Sequence, residues 1–222
     1  MCPATLSRDV PLTLGQSALL FIDVQNFGAR PDGGEYAHLS PAEREQKLGW
    51  YFETLETSAI PAMQRIQKAC RGAGIEVLYT VIQSLTRDGR DRSLDYKITG
   101  FHVAPGSWDA QVLDPIAPED DEIVLPKTSS SVFISTHVDY LLRNLGVRHL
   151  VLAGLLTDQC VESAVRDACD LGYLVTLVTD ACATHSAERH ERSLAAIRGY
   201  CRQVTSTALV HEIGALVAAS RR

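Results

Sequence analysis

Cys160 stands where an apolar run gives way to a helical pattern, and that position gives its thiol chemical meaning. Leu150 to Ala153 reads as a buried strand, and a helical pattern follows almost at once from Gln159. The unpaired N–H groups and the dipole of a helix N-terminus favour negative charge. A thiol there is expected to lose its proton more readily than a free cysteine, and the thiolate is the nucleophile. A cysteine placed elsewhere would read as a small core residue. Asp23 ends the apolar run Ala18-Leu19-Leu20-Phe21-Ile22. A carboxylate in that position costs desolvation energy unless it is paired. It is therefore expected in an ion pair or as a proton acceptor. Lys127, between Pro126 and the stretch Thr128 to Ser131, would by itself be an ordinary surface cation. Together the three are more specific. The acid can take the thiol proton, and the lysine can hold the acid and stabilise charge.

The elements that must position these groups alternate along the chain. Strands are expected at Ser17–Val24, Ile75–Ile82, Glu122–Leu125, Leu150–Ala153, Tyr173–Val178 and Arg202–Ser206. Ser40-Pro41-Ala42-Glu43 matches a capping box with proline in the first helical turn. The helical pattern it opens runs to about Arg71, interrupted, if anywhere, at Pro61. Further helices are expected at Thr136–Leu145, Gln159–Leu171, Ser186–Arg198 and Thr207–Ala219, and a short one at Trp108–Ile116. Gln83–Ser107 is long, polar and rich in Arg, Asp and Gly, so it is expected as a surface excursion. Strands separated by helices give βαβ units. The expected fold is α/β, a three-layer α-β-α sandwich on a mostly parallel, about six-stranded sheet. The whole of 1–222 is expected as a single domain. Ligands of such sheets bind at the carboxyl ends of the strands. Asp23, Gln83, Lys127 and Cys160 all follow strands and are expected to converge there.

Composition removes several classes of function. The chain has 222 residues, 45% of them hydrophobic, and a formal net charge of −6 spread along its length. It carries no basic patch for nucleic acid and no apolar run near the ~20 residues that span a bilayer. Met1 to Gly15 lacks the pattern of a secretory leader. The six cysteines, at 2, 70, 160, 169, 182 and 201, show no metal-finger spacing. A cytoplasmic protein with reduced thiols is the expectation. Cys70, Cys182 and Cys201 read as packing residues, and His185 and His190 as surface groups.

Three separated motifs occur in order: Leu20-Phe21-Ile22-Asp23-Val24-Gln25-Asn26, the stretch from Lys127 to Phe133, and Gly154-Leu155-Leu156-Thr157-Asp158-Gln159-Cys160-Val161. With Gly172-Tyr173 and Asp180-Ala181 they resemble the isochorismatase-like superfamily of cysteine hydrolases. That superfamily includes nicotinamidases, N-carbamoylsarcosine amidase, and ureidoacrylate and biuret amidohydrolases. The resemblance covers roughly residues 15 to 206. It implies an Asp23–Lys127–Cys160 catalytic triad and a cis peptide between Leu155 and Leu156. It also implies an oxyanion hole made by the N–H groups of Leu156 and Cys160, and a dimer or tetramer of identical chains.

The expected activity is a cysteine amidohydrolase that cleaves a small amide, ureido or carbamoyl compound through a thioester and releases ammonia. Isochorismatase-type vinyl-ether hydrolysis and an idle oligomeric scaffold are the alternatives. Cys160 favours amide chemistry, because true isochorismatases often lack the cysteine. Nicotinamidases carry an Asp-x-His and a further His that hold a metal. The corresponding stretch here, Val81 to Asp88, has no such motif, so no metal or cofactor is expected. Candidate substrate-binding residues are Gln25, Gln83, Arg87, Arg90 and Tyr96. One arginine of the excursion could clamp a substrate carboxylate. Tyr96, Phe101 and Trp108 could wall a pocket or serve as core.

Overall fold

A computed structural model describes residues 6–221, so the thiol of Cys2 and the extreme ends of the expected domain lie outside the described residues. Six strands form one sheet: β1 (Ser17–Ile22), β2 (Glu76–Ile82), β3 (Ile123–Lys127), β4 (His149–Leu155), β5 (Leu174–Ala183) and β6 (Arg202–Val204). Their spatial order is β3-β2-β1-β4-β5-β6. Every pairing is parallel. Both faces are covered, which is why β1 and β4 read as continuous apolar runs rather than alternating ones. Leu19, Phe21, Val77 and Tyr79 face the helices Pro41–Thr54, Ile60–Gly72 and Ser206–Ser220. Leu20, Ile22, Leu78 and Leu150 face Val138–Asn144, Glu162–Asp170 and Ala187–Ile197. The α/β three-layer expectation therefore holds. Among the described residues no helix is long and apolar enough to cross a membrane.

Several elements differ from the sequence reading for physical reasons. The Ser40 capping box forms, but Pro61 does not break the helix it opens. A π turn at Leu55–Ala59 intervenes, with the Ile60 N–H bonded back to Leu55 O. This resets the ladder where the proline ring would otherwise clash. β3 extends through Pro126, tolerable because β3 is an edge strand. β5 runs on past Asp180, whose carboxylate is engaged by the Ser206 N–H (2.6 Å) and hydroxyl (2.7 Å). Trp108–Ile116 forms two 3-10 turns in place of a helix. Gln83–Ser107 is only partly a surface excursion. It contains the helix Leu94–Thr99 and buries Tyr96 and Val103.

β4 approaches β1 closely at Gly154. Its φ of 129° lies outside the range of ordinary side chains, and a Cβ there would meet Ile22 O at 2.2 Å. The register of β4 against β5 shifts at the same point, between Leu152 and Gly154.

Candidate active site

Three strand ends bring the acid, the ammonium and the thiol together. Asp23 leaves β1 with a φ of 53°. Its N–H donates to Thr80 O at 3.1 Å, and the Thr80 hydroxyl donates to its Oδ1 at 2.8 Å. Lys127 ends β3 and is fully buried. Its ammonium lies 2.7 Å from Asp23 Oδ2 and donates to Ser129 O at 2.8 Å and to Tyr96 Oη at 3.1 Å. Cys160 Sγ is 3.4 Å from the same nitrogen. A buried lysine ordinarily loses its charge. Here desolvation is the largest single effect, but the Asp23 carboxylate together with Cys160 and Tyr96 outweighs it and keeps the ammonium well above the usual lysine range.

Cys160 sits in a π turn, Thr157–Val161, that opens the helix Glu162–Asp170. The Leu156 carbonyl accepts from the N–H groups of Gln159 (3.0 Å) and Val161 (3.2 Å), the neighbours on either side of Cys160. The Leu155–Leu156 peptide is cis. The helix N-terminus does not produce the acidic thiol expected from the sequence. Burial pushes the Cys160 thiol up to about 12, although Lys127 pulls the other way. Only 5% of the residue is exposed, so desolvation of the thiolate dominates.

The turn is held from behind. Asp158 accepts from the Thr184 hydroxyl and Arg189 Nε, both at 2.5 Å. Thr157 Oγ1 pairs with His190 Nδ1 at 2.9 Å, and the Ser193 hydroxyl donates to Glu162 Oε2 at 2.7 Å. His185 pairs with Tyr36 Oη at 3.0 Å. These two histidines are therefore half-buried structural groups, not the surface groups expected. Burial pushes both imidazoles down.

Asp23 and Cys160 open onto a cavity of about 350 Å³. Leu155, Leu156, Gln159 and Tyr96 line it beside them, with Phe27, Tyr51, Ile82 and Phe101 as apolar surface and Glu35, Asp95, Thr99 and Ser130 as further polar groups. Residues 17–208 match the isochorismatase domain. The chain belongs to the isochorismatase family of hydrolases.

Solved structures of similar fold agree. A cysteine hydrolase from Pseudomonas syringae pv. phaseolicola 1448A superposes with a TM-score of 0.79 at 22% identity, over 93% of this chain and 96% of that one. An isochorismatase family protein from Desulfovibrio vulgaris subsp. vulgaris str. Hildenborough gives 0.70 at 27% identity, covering 87% and 96%. N-carbamoylsarcosine amidase from Thermoplasma acidophilum gives 0.63 at 25% identity, covering 86% and 96%.

The candidate substrate-binding residues of this isochorismatase-family chain fall in different places. Tyr96 lines the cavity, with its hydroxyl on Lys127. Gln25 also lines it, but its amide is committed to the backbone. Nε2 donates to Ile82 O and Asp109 O, both at 2.9 Å, and Oε1 accepts from Ile82 N at 2.5 Å. Gln83, Arg87 and Arg90 are not among the lining residues. Gln83 donates only its backbone N–H, to Lys127 O. Arg87 is exposed, and Arg90 pairs with Asp88 on the surface at 3.0 Å. Arg92 is spent closing the loop, donating to Gly89 O and Phe101 O. The arginine clamp thus has no arginine in the cavity. The excursion folds inward through Tyr96 and Val103 and turns its cations outward or onto its own carbonyls.

Sequence reasoning missed Glu35 and Asp95. Glu35 lies on a single 3-10 turn, Gly34–Tyr36, with no periodicity to mark it. The one signal is Gly28, where a Cβ would meet Glu35 Oε2 at 2.5 Å. Among the described residues, no three His, Cys, Asp or Glu side chains gather to hold a metal ion.

Proposed function

We propose that the chain is a cysteine amidohydrolase acting on a small amide, ureido or carbamoyl compound, with Cys160 as nucleophile, Asp23 as proton carrier and Lys127 as their cationic support. The observation that carries this reading is one buried ammonium touching both the Asp23 carboxylate and the Cys160 sulfur beside the cavity. That is the nucleophile–base–orienter arrangement of covalent catalysis.

A thiol raised to about 12 would need several kcal/mol to ionise freely at neutral pH. The proton therefore moves to Asp23 as sulfur attacks the substrate carbonyl, and no free thiolate waits for substrate. The C–S bond forms, and the oxyanion is received by the N–H groups of Leu156 and Cys160. The neighbouring amides of Gln159 and Val161 are already bonded to Leu156 O and so are not the donors. One such donor typically contributes about 2.7–4 kcal/mol in acyl transfer. Asp23 passes its proton to the departing nitrogen, the C–N bond breaks, and ammonia leaves. Water then attacks the thioester, giving a proton to Asp23. The C–S bond breaks, and the proton returns to sulfur. Lys127 keeps its charge throughout and balances Asp23 and the intermediates.

The test is an ammonia-release screen over simple amides, ureido acids, carbamoyl amino acids and biuret, with hydroxylamine added to a second series. Hydroxylamine should divert the thioester and yield the hydroxamate of the acyl group. Ammonia release without any hydroxamate, or vinyl-ether hydrolysis with no ammonia from any of these compounds, would overturn the proposal.

A further inference from the structure

The cavity beside Cys160 carries an imbalance of charge that the proposed chemistry does not use. Asp23 is neutralised by Lys127, which lies fully buried behind it. The lining residues also include Glu35 and Asp95 but no Arg, Lys or His. Glu35 is half-buried, and desolvation raises its carboxyl to about 7, against a hydrogen bond from Tyr36 that pulls it down and with a smaller push from Asp23 across the same space. On its other side Glu35 borders a second cavity with His38 and Lys47, yet no cation pairs with its carboxylate among the described residues. The space it occupies exists because residue 28 is glycine, since a Cβ there would meet Oε2 at 2.5 Å. Beside it, Phe27 and Phe101 meet edge-to-face at 5.4 Å and both line the cavity. Tyr36 is the one side-chain donor to Glu35 among the described residues, and a desolvated carboxylate without a cationic partner gains further when a cation reaches it; aromatic faces also attract cations.

We propose that Glu35 determines specificity, binding a protonated amine or guanidinium at the end of the substrate remote from the scissile carbonyl. Cationic amides are then the preferred substrate class, and carboxylate-bearing ureido acids and carbamoyl amino acids are disfavoured. This rests on the amidohydrolase reading of Cys160 and deepens it. Asp95 at the same cavity adds to the attraction, and Phe27 and Phe101 supply the apolar wall.

Three primary amides of similar size test the proposal: β-alaninamide (cation), butanamide (neutral) and succinamate (anion). Ammonia release should give a kcat/KM for β-alaninamide at least about tenfold above butanamide, with succinamate lowest, as expected for a charge-assisted contact. Glu35→Gln should lower the β-alaninamide-to-butanamide ratio by roughly tenfold or more. Gly28→Ala, which displaces the carboxylate without removing it, should lower the same ratio. A wild-type preference for succinamate, or a Glu35→Gln ratio equal to that of the wild type, would overturn the proposal while leaving amide hydrolysis intact. Calorimetry on Cys160→Ala separates the two claims. If no amide is hydrolysed but Cys160→Ala binds β-alaninamide and the Glu35→Gln/Cys160→Ala double variant does not, charge selection stands and the amidohydrolase reading fails. If β-alaninamide is neither hydrolysed nor bound, charge selection fails.

Discussion

Replacing Lys127 with methionine keeps the side-chain length and removes the charge. Asp23 is 5% exposed, and its Oδ2 has the Lys127 ammonium 2.7 Å away. At an effective dielectric near 20 that pair attracts by about 6 kcal/mol, set against the cost of burying both ions. In Lys127→Met the Thr80 hydroxyl still reaches Oδ1, but Oδ2 faces an apolar stem. Removing one partner of a buried pair costs about 3–5 kcal/mol. For a chain of this size that lowers the melting temperature by roughly 6–20 °C. Replacing both partners, as Asp23→Asn with Lys127→Met, removes the orphaned charge and should recover most of the loss. Urea unfolding of the wild type, both single variants and the double variant closes the cycle and isolates the coupling. A Lys127→Met cost under about 1 kcal/mol, or a double variant as unstable as the sum of the singles, would show that the pair is not coupled.

Glu35 gives a pH signature in the unliganded protein. Its carboxyl rises from 4.5 to about 7 on folding, so its contribution to stability is full below about pH 4.5 and is lost as pH rises through about 7. Urea unfolding should detect a fall of roughly 2–3 kcal/mol across that window, and Glu35→Gln should abolish this component. Gly154→Ala places a Cβ 2.2 Å from Ile22 O at a φ of 129°. Forced backbone displacement of this kind costs about 3 kcal/mol or more, measurable as a lower unfolding midpoint, with activity lost because β1 and β4 carry Asp23 and the Cys160 turn.

Asp23, Lys127 and Cys160 were legible because each stands beside the end of an apolar run, and parallel topology sends those ends to one edge of the sheet. The sandwich was legible for the same reason, since buried strands and capped helices alternate. What local pattern could not carry was set by tertiary context. The position of Cys160 after β4 was readable, but its raised proton affinity was not, because that comes from burial. The π turns at Leu55–Ala59 and Thr157–Val161 resemble ordinary helix in sequence. The arginines of the excursion looked available for substrate because nothing local reveals that Tyr96 and Val103 turn inward and leave Arg90 on the surface. Glu35 was invisible for a similar reason, as its meaning depends on Gly28 and on a cavity without cations.

In the proposed reaction the Cys160 thiol forms and breaks the bond to the substrate carbonyl. The most direct measurement of that role is ammonia release by Cys160→Ala from any amide the wild type hydrolyses, with the melting transition recorded on the same sample. Cys160→Ala should release ammonia only at the uncatalysed rate while melting close to the wild-type temperature. A folded Cys160→Ala protein that keeps full activity would contradict this role for the thiol.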